Sequence, residues 1–193
     1  MSETLRHAIE NMSSHDSEAR VAAATEIHRE GRGLADHAVY PWWAEQELAN
    51  LLGAPNPFVT VGLAVQPARF QQIREAAGLP RLAEVPPDQD AREFEMHLPG
   101  GLSIDILTSR EPDGSGAIAK FLQKFGEGIQ QVEFRCEDVD RATEILRGKF
   151  GLTPVYPQTR PGADGTRVNF YLLSAPGASK VLVELYEPAP HVD

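Results

Sequence analysis

The hydrophobic and polar positions of the chain fall into two regimes that meet near Pro55 and Pro57. Before that point, "SETLRHAIENM" (2–12), "SEARVAAATEIHREG" (17–31) and "AVYPWWAEQELANLLG" (38–53) carry Ala, Leu, Glu and Arg at helical spacing, with Ser and Asp as starts and Gly as stops. This predicts a helical extension. After that point the period shortens to two. Alternating or β-branched runs, broken by Pro, Gly and Asp, predict strands at "FVTVGLAV" (58–65), "REFEMHL" (92–98), "LSIDILTS" (102–109), "IQQVEFRC" (129–136), "RVNFYLLS" (167–174) and "KVLVELYE" (180–187).

Helical stretches sit in matching places among these strands: "ARFQQIREAAGL" (68–79) follows the first, and "VDRATEILRGKFGL" (139–152) follows "IQQVEFRC". The order is strand, helix and three strands, the first of them weak and near "RLAEV" (81–85). A linking helix, "GAIAKFLQKFG" (116–126), leads into the same order again. The pattern is a duplication. Neither copy has a sheet large enough to bury its own face, so pairing the copies is expected to make a continuous core and enclose a groove. The predicted divisions are an extension at 1–57, modules at 58–113 and 128–193, and a linking helix at 114–127. Trp42 and Trp43 are read as the anchor that docks the extension, since aromatics bury the most area per residue.

Composition narrows the function. The 193 residues, 41% hydrophobic and 24% charged, suit one good-sized domain or two small modules with a shared core. A net charge of −10 offers nucleic acid no footprint, so no nucleic-acid partner is expected. A small acidic ligand would need a local basic pocket, for which Lys120, Lys124, Arg160, Arg167 and Lys180 are available. Cys136 is the single cysteine, so no intrachain disulfide or multi-thiolate site can form, and a buried thiol is expected. The first twenty residues lack the apolar core of a signal peptide and no later run spans a bilayer, so the expectation is a cytoplasmic protein with no membrane partner.

In "GEGIQQVEF" (126–134), Gln131 and Glu133 share one strand face. That stretch belongs to "AIAKFLQKFGEGIQQVEFRCEDVDRATEILRGKFGLTPV", which with "RPGADGTRVNFYLL" and "KVLVELYEP" resembles the second half of a methylmalonyl-CoA epimerase. Those enzymes belong to the vicinal oxygen chelate superfamily, together with glyoxalase I, extradiol dioxygenases and fosfomycin-resistance proteins. The likeness reaches back through "LSIDILTS" to "FVTVGLAV", covering roughly residues 58 to 188 and leaving the extension unmatched. It implies an α+β fold of two tandem βαβββ modules forming a cupped mixed sheet.

The resemblance also implies four inward metal positions, which in the epimerases are His, Gln or Glu, His, and Glu. Carried over strand by strand, they fall on Thr60, Asp105, Gln131 and Glu184, so both histidines are replaced. His7, His15, His28 and His37 precede the strands, His191 is in the tail, and His97 alone lies within a strand. Oxygen donors of this kind suit Mg or Mn better than iron, which argues against an iron dioxygenase. The cofactor expectation is therefore either none or a weakly held divalent metal (Mg, Mn, Co or Zn).

Glu133 shares the face of Gln131, so the cavity is expected to hold three acids, Asp105, Glu133 and Glu184, with Arg135 as the nearest cationic partner. In the epimerases a second Glu moves the proton with the last-strand Glu. Its place falls on Asp88 in "PPDQDAREF". The catalytic candidates are thus Glu184, Glu133 and Asp88, and the substrate-binding candidates Gln131, Arg135 and Tyr186. The expected function is an epimerase, isomerase or lyase acting on a small oxygenated substrate through an enolate-like intermediate, as a monomer or homodimer. A non-catalytic small-molecule binding protein on the same fold is the alternative, and a structural module that serves the extension is a third.

Overall fold

The computed structural model describes residues 2–175 and 178–190, with 178 and 179 described in their backbone only; His191 lies outside the described residues. Helix α1 (Glu3–Asn11) starts where sequence expects, because the Ser2 hydroxyl accepts from the Leu5 N–H at 3.1 Å. Helix α2 (Ser17–Val39) does not stop at Gly31 as its sequence suggests. A Cβ at Gly31 would lie 2.6 Å from a Val61 methyl, so this glycine serves a close approach between helix and strand rather than a helix end. The α-helical ladder stops at Pro41, which has no N–H to donate to the carbonyl four residues back. A 3-10 turn (Tyr40–Ala44) and helix α3 (Gln46–Leu51) follow, the latter capped by the Glu45 carboxylate accepting from Leu48 N–H at 2.6 Å.

Two compact units divide the chain, one from Met1–Gly31 with Thr60–Gln130 and one from Arg32–Val59 with Gln131–Asp193. Sequence treats residues 1–57 as one extension, whereas its first part belongs with the first module's residues and the rest with the second's.

In the first unit β1 (Val59–Ala64), α4 (Pro67–Ala76), β2 (Arg92–Leu98), β3 (Leu102–Thr108) and α5 (Ala117–Phe125) follow in order. The strands lie in the order β2-β3-β1, with β2 antiparallel and β1 parallel to β3. Val61, Leu63, Phe94, Ile104 and Ile106 form the buried apolar face, where the Phe70 ring of α4 meets Phe94 edge-on with centroids 5.0 Å apart. The weak strand expected at "RLAEV" is not formed. One ladder-like bond, Ala83 N–H to Glu93 C=O at 3.0 Å, is made. Pro80, Pro86 and Pro87, which flank the segment, have no N–H to extend a ladder.

The Glu127 side chain of "GEG" also belongs here. Its carboxylate accepts from Gln66 N–H at 3.0 Å and Arg69 Nε at 2.7 Å, so it caps α4, whose own N-cap supplies no side-chain bond.

In the second unit β4 (Gly128–Arg135), α6 (Val139–Phe150), β5 (Arg160–Pro161), β6 (Arg167–Ala175) and β7 (Ala178–Glu187) lie in the order β4-β7-β6-β5. β4 runs parallel to β7, and the other pairs are antiparallel. Helix α6 obeys its local signals at both ends: Asp138 accepts from Arg141 N–H at 2.8 Å, and Gly151 closes the helix in the left-handed region at φ 63°. Trp42, 2% exposed, meets Tyr171 edge-on at 6.1 Å, and Trp43 packs on Phe134 at the same separation. Ion pairs from Arg141 to Glu47 (2.6 Å) and from Lys149 to Glu45 (2.5 Å) add to this docking. The tryptophans thus anchor the part of the extension that belongs to this unit.

Candidate functional site

Alternation along β4 and β7 puts Gln131, Glu133 and Glu184 on one face of the second unit's sheet, and register makes Glu133 and Glu184 direct partners. Two carboxylates so placed repel, and the remedy is an amide: Gln131 Nε2 donates to Glu133 Oε1 at 3.0 Å and to Glu184 Oε2 at 2.7 Å. Glu184 is 8% exposed and Gln131 9%, so the cluster sits largely out of water, where such bonds are strongest. Arg135, expected to neutralise it, is exposed.

Beside the acids the same face turns aromatic. Phe170 is the register partner of Glu184, its ring meets that of Tyr156 at 5.9 Å, and the Arg160 guanidinium lies 4.4 Å over the Tyr156 ring. Tyr186, two residues beyond Glu184 on that face, is half-buried. Sequence reading places Arg160 among five available cations without singling it out. Tyr156 and Phe170 go unnoticed because their pairing depends on the turn between α6 and β6.

The first unit has its own polar face. Register sets Thr60 opposite Ser103, and Asp105 between Gly62 and Glu95. The Thr60 hydroxyl donates to Glu95 Oε1 at 3.3 Å. His97, opposite Ser103, has Nδ1 3.1 Å from the serine Oγ and Nε2 3.5 Å from Glu95 Oε2. Glu95 and His97 are missing from the sequence-derived candidates. The strict alternation of "REFEMHL" is the signal that puts them on the polar face. Asp88 lies exposed in the turn before β2.

The donor chemistry does not fit a divalent metal. Gln131 presents its N–H donors, not its oxygen, to both carboxylates, and the Thr60 hydroxyl is turned to Glu95. Among the described residues no group of three or more His, Cys, Asp or Glu is placed to hold a metal ion. Among them, too, no helix is long and apolar enough to cross a membrane.

A crossover helix between parallel strands, repeated in two units with acids on the last strands, is the architecture of the vicinal oxygen chelate fold, and solved structures carry the same likeness. Methylmalonyl-CoA epimerase from Mycobacterium tuberculosis is 35% identical over 68% of this chain and 87% of that one, with a TM-score of 0.56. A single-substitution variant of the Streptomyces coelicolor methylmalonyl-CoA epimerase, in complex with 2-nitronate-propionyl-CoA, is 26% identical over 69% of this chain and 98% of that one, with a TM-score of 0.54. A methylmalonyl-CoA epimerase in complex with methylmalonyl-CoA and NH4+ is also 26% identical, covering 68% and 93%, with a TM-score of 0.54. The chain belongs to the methylmalonyl-CoA epimerase-like group of the vicinal oxygen chelate superfamily. No protein-family model matches it, and no curated protein does.

Proposed function

We propose that the protein is an acid–base enzyme of the epimerase, isomerase or lyase type, acting on a small oxygenated substrate through an enolate-like intermediate with Glu184 as the base. The observation that carries this reading is the buried Glu184 carboxylate, fixed by the 2.7 Å bond from Gln131 Nε2 and opposite Phe170 across β6 and β7. A base that must reach a C–H needs a fixed position and little competing water, and both conditions are met.

Glu184 takes the proton from the carbon beside a thioester or ketone carbonyl, and the C–H electron pair moves into the enolate. Once the resulting carboxylic acid has traded its proton with solvent, return of a proton to the same carbon completes an exchange, and delivery to a neighbouring carbon completes an isomerisation. Both Gln131 N–H donors are engaged by carboxylates, so Gln131 acts as a positioning residue for Glu133 and Glu184 rather than as the donor to the enolate oxygen. Glu133 is the second acid–base group on the face. Asp88 is given no step. The epimerases similar to this chain make an enolisable acyl thioester the first substrate to test.

The test is solvent deuterium incorporation into methylmalonyl-CoA and 2-oxo acids, followed by mass spectrometry. Glu184→Gln is expected to lower exchange by about 10²- to 10⁴-fold. Exchange that survives the substitution removes Glu184 from the mechanism. A wild-type protein that binds these compounds without exchanging any leaves the second reading, a sequestering or sensing protein, which the donor set's poor fit to the usual metal favours.

A further inference from the structure

Strand β2 stands at the end of the strand order, because the strand expected at "RLAEV" is not there to cover it. Successive residues of a strand turn their N–H and C=O groups to opposite sides, so every second residue bonds outward. Glu93 marks the outward set, since its C=O accepts from Ala83 N–H at 3.0 Å. Glu95 and His97 continue it. Among the described residues no segment bonds their outward N–H and C=O groups. Their side chains share one face, 40% and 71% exposed, and those of Met96 and Leu98 are half-buried on the other.

We propose that this edge pairs with β2 of a second copy of the chain, antiparallel about a two-fold axis at Met96. Outward groups can bond only outward groups, so the sequence of β2 decides the register. An axis at Phe94 or Glu95 sets carboxylate against carboxylate, and an axis at His97 sets Glu95 against Pro99, which has no N–H to return. An axis at Met96 avoids both faults. It sets Glu95 opposite the partner's His97, and His97 opposite the partner's Glu95, and each pair exchanges both main-chain bonds. On one face each carboxylate then meets an imidazole; on the other, Met96 meets the partner's Met96, and Leu98 lies opposite the partner's Phe94. The edge is thus complementary to itself, as a two-fold contact requires. Charges on an edge strand deter partners of another pattern, so Glu95 and His97 select the copy that presents them in reverse order. So short a contact falls below the roughly 1,200 Å² of standard interfaces, which makes the pairing reversible and dependent on concentration.

The experiment follows association of the full chain by sedimentation equilibrium up to about 1 mM, where contacts of this size become populated. Glu95→Lys and His97→Glu are each expected to weaken association about tenfold, because each sets like charges across both pairs. An equimolar mixture of the two variants is expected to associate as wild type does, since opposite charges again face each other at both places. Wild type that stays monomeric overturns the proposal. So does either variant associating as wild type does, or a mixture no stronger than its components. Should a variant fail to fold in a thermal melt, amide hydrogen exchange of wild type decides the matter. The Glu95 and His97 amides are expected to exchange more slowly in concentrated than in dilute protein, and equal rates overturn the pairing.

Discussion

At the scale of single residues, Gln131 shows how one side chain can hold apart two like charges. Its two donors satisfy Glu133 and Glu184, so Gln131→Ala strips both carboxylates of a partner at once and is expected to cost about 1–3 kcal/mol of stability, measured by urea unfolding. Gln131→Glu is expected to be worse, since a third carboxylate would face the other two. Cys136 is the opposite kind of residue. Burial pushes its thiol up to about 12, so it remains protonated at neutral pH. Native protein is expected to resist iodoacetamide until unfolded, and labelling at the rate of a free thiol would contradict this. A raised native value favours the protonated form, so its stabilisation is complete below the unfolded thiol's ordinary 9.0 and is lost as pH rises from there towards about 12. Tyr171, also raised chiefly by burial, adds to the loss in the same direction.

At the scale of elements, contacts that sequence distance hides decide where helices end and how they dock. Gly31 lies within α2 because β1 comes close enough that any Cβ would overlap Val61. Gly31→Ala would improve an isolated helix, yet here it is expected to destabilise by about 1–3 kcal/mol, and Val61→Ala in the same chain should recover part of the loss. Melting of the two single variants and the double variant checks this coupling, and simple additivity would refute the close approach. The docking of α3 on α6 uses both kinds of interaction. A hydrogen bond from Lys149 holds Glu45 below its ordinary value, and one from Arg141 does the same for Glu47. Both pairs reach solvent through their cations, so high salt should weaken them while leaving the buried Trp42 contact intact. Trp42→Ala is accordingly expected to cost about 3–5 kcal/mol, by far the larger effect.

At the scale of the whole molecule, the chain keeps the epimerase-like fold, and among its described residues no three of His, Cys, Asp or Glu are placed to hold a metal ion. Protein purified without a tag is therefore expected to melt at the same temperature with EDTA as with added Mn, Mg, Co or Zn, and a shift of several degrees with any of them would show a site that binds the native state. Much of this was open to a sequence reader. Period-two alternation placed Gln131 and Glu133 on one face because strand geometry is local, and the paired order of helices and strands made the duplication visible. The residue types at the positions carried over from the resemblance were legible too, since they need identity alone. Contacts between distant residues were not. The direction of the Gln131 amide depends on two carboxylates, one of them 53 residues away. Grouping of Thr60, Glu95, His97 and Ser103 depends on the register of three strands, and the loss of a strand at "RLAEV" depends on whether flanking prolines leave enough donors for a ladder. Arg160 gains its place only when the turn before β6 brings Tyr156 against Phe170. Sequence by itself determined which faces are polar, because that follows from period and chemistry; tertiary structure alone decided which polar groups satisfy one another, because hydrogen bonds and ion pairs act over a few ångströms that only folding sets.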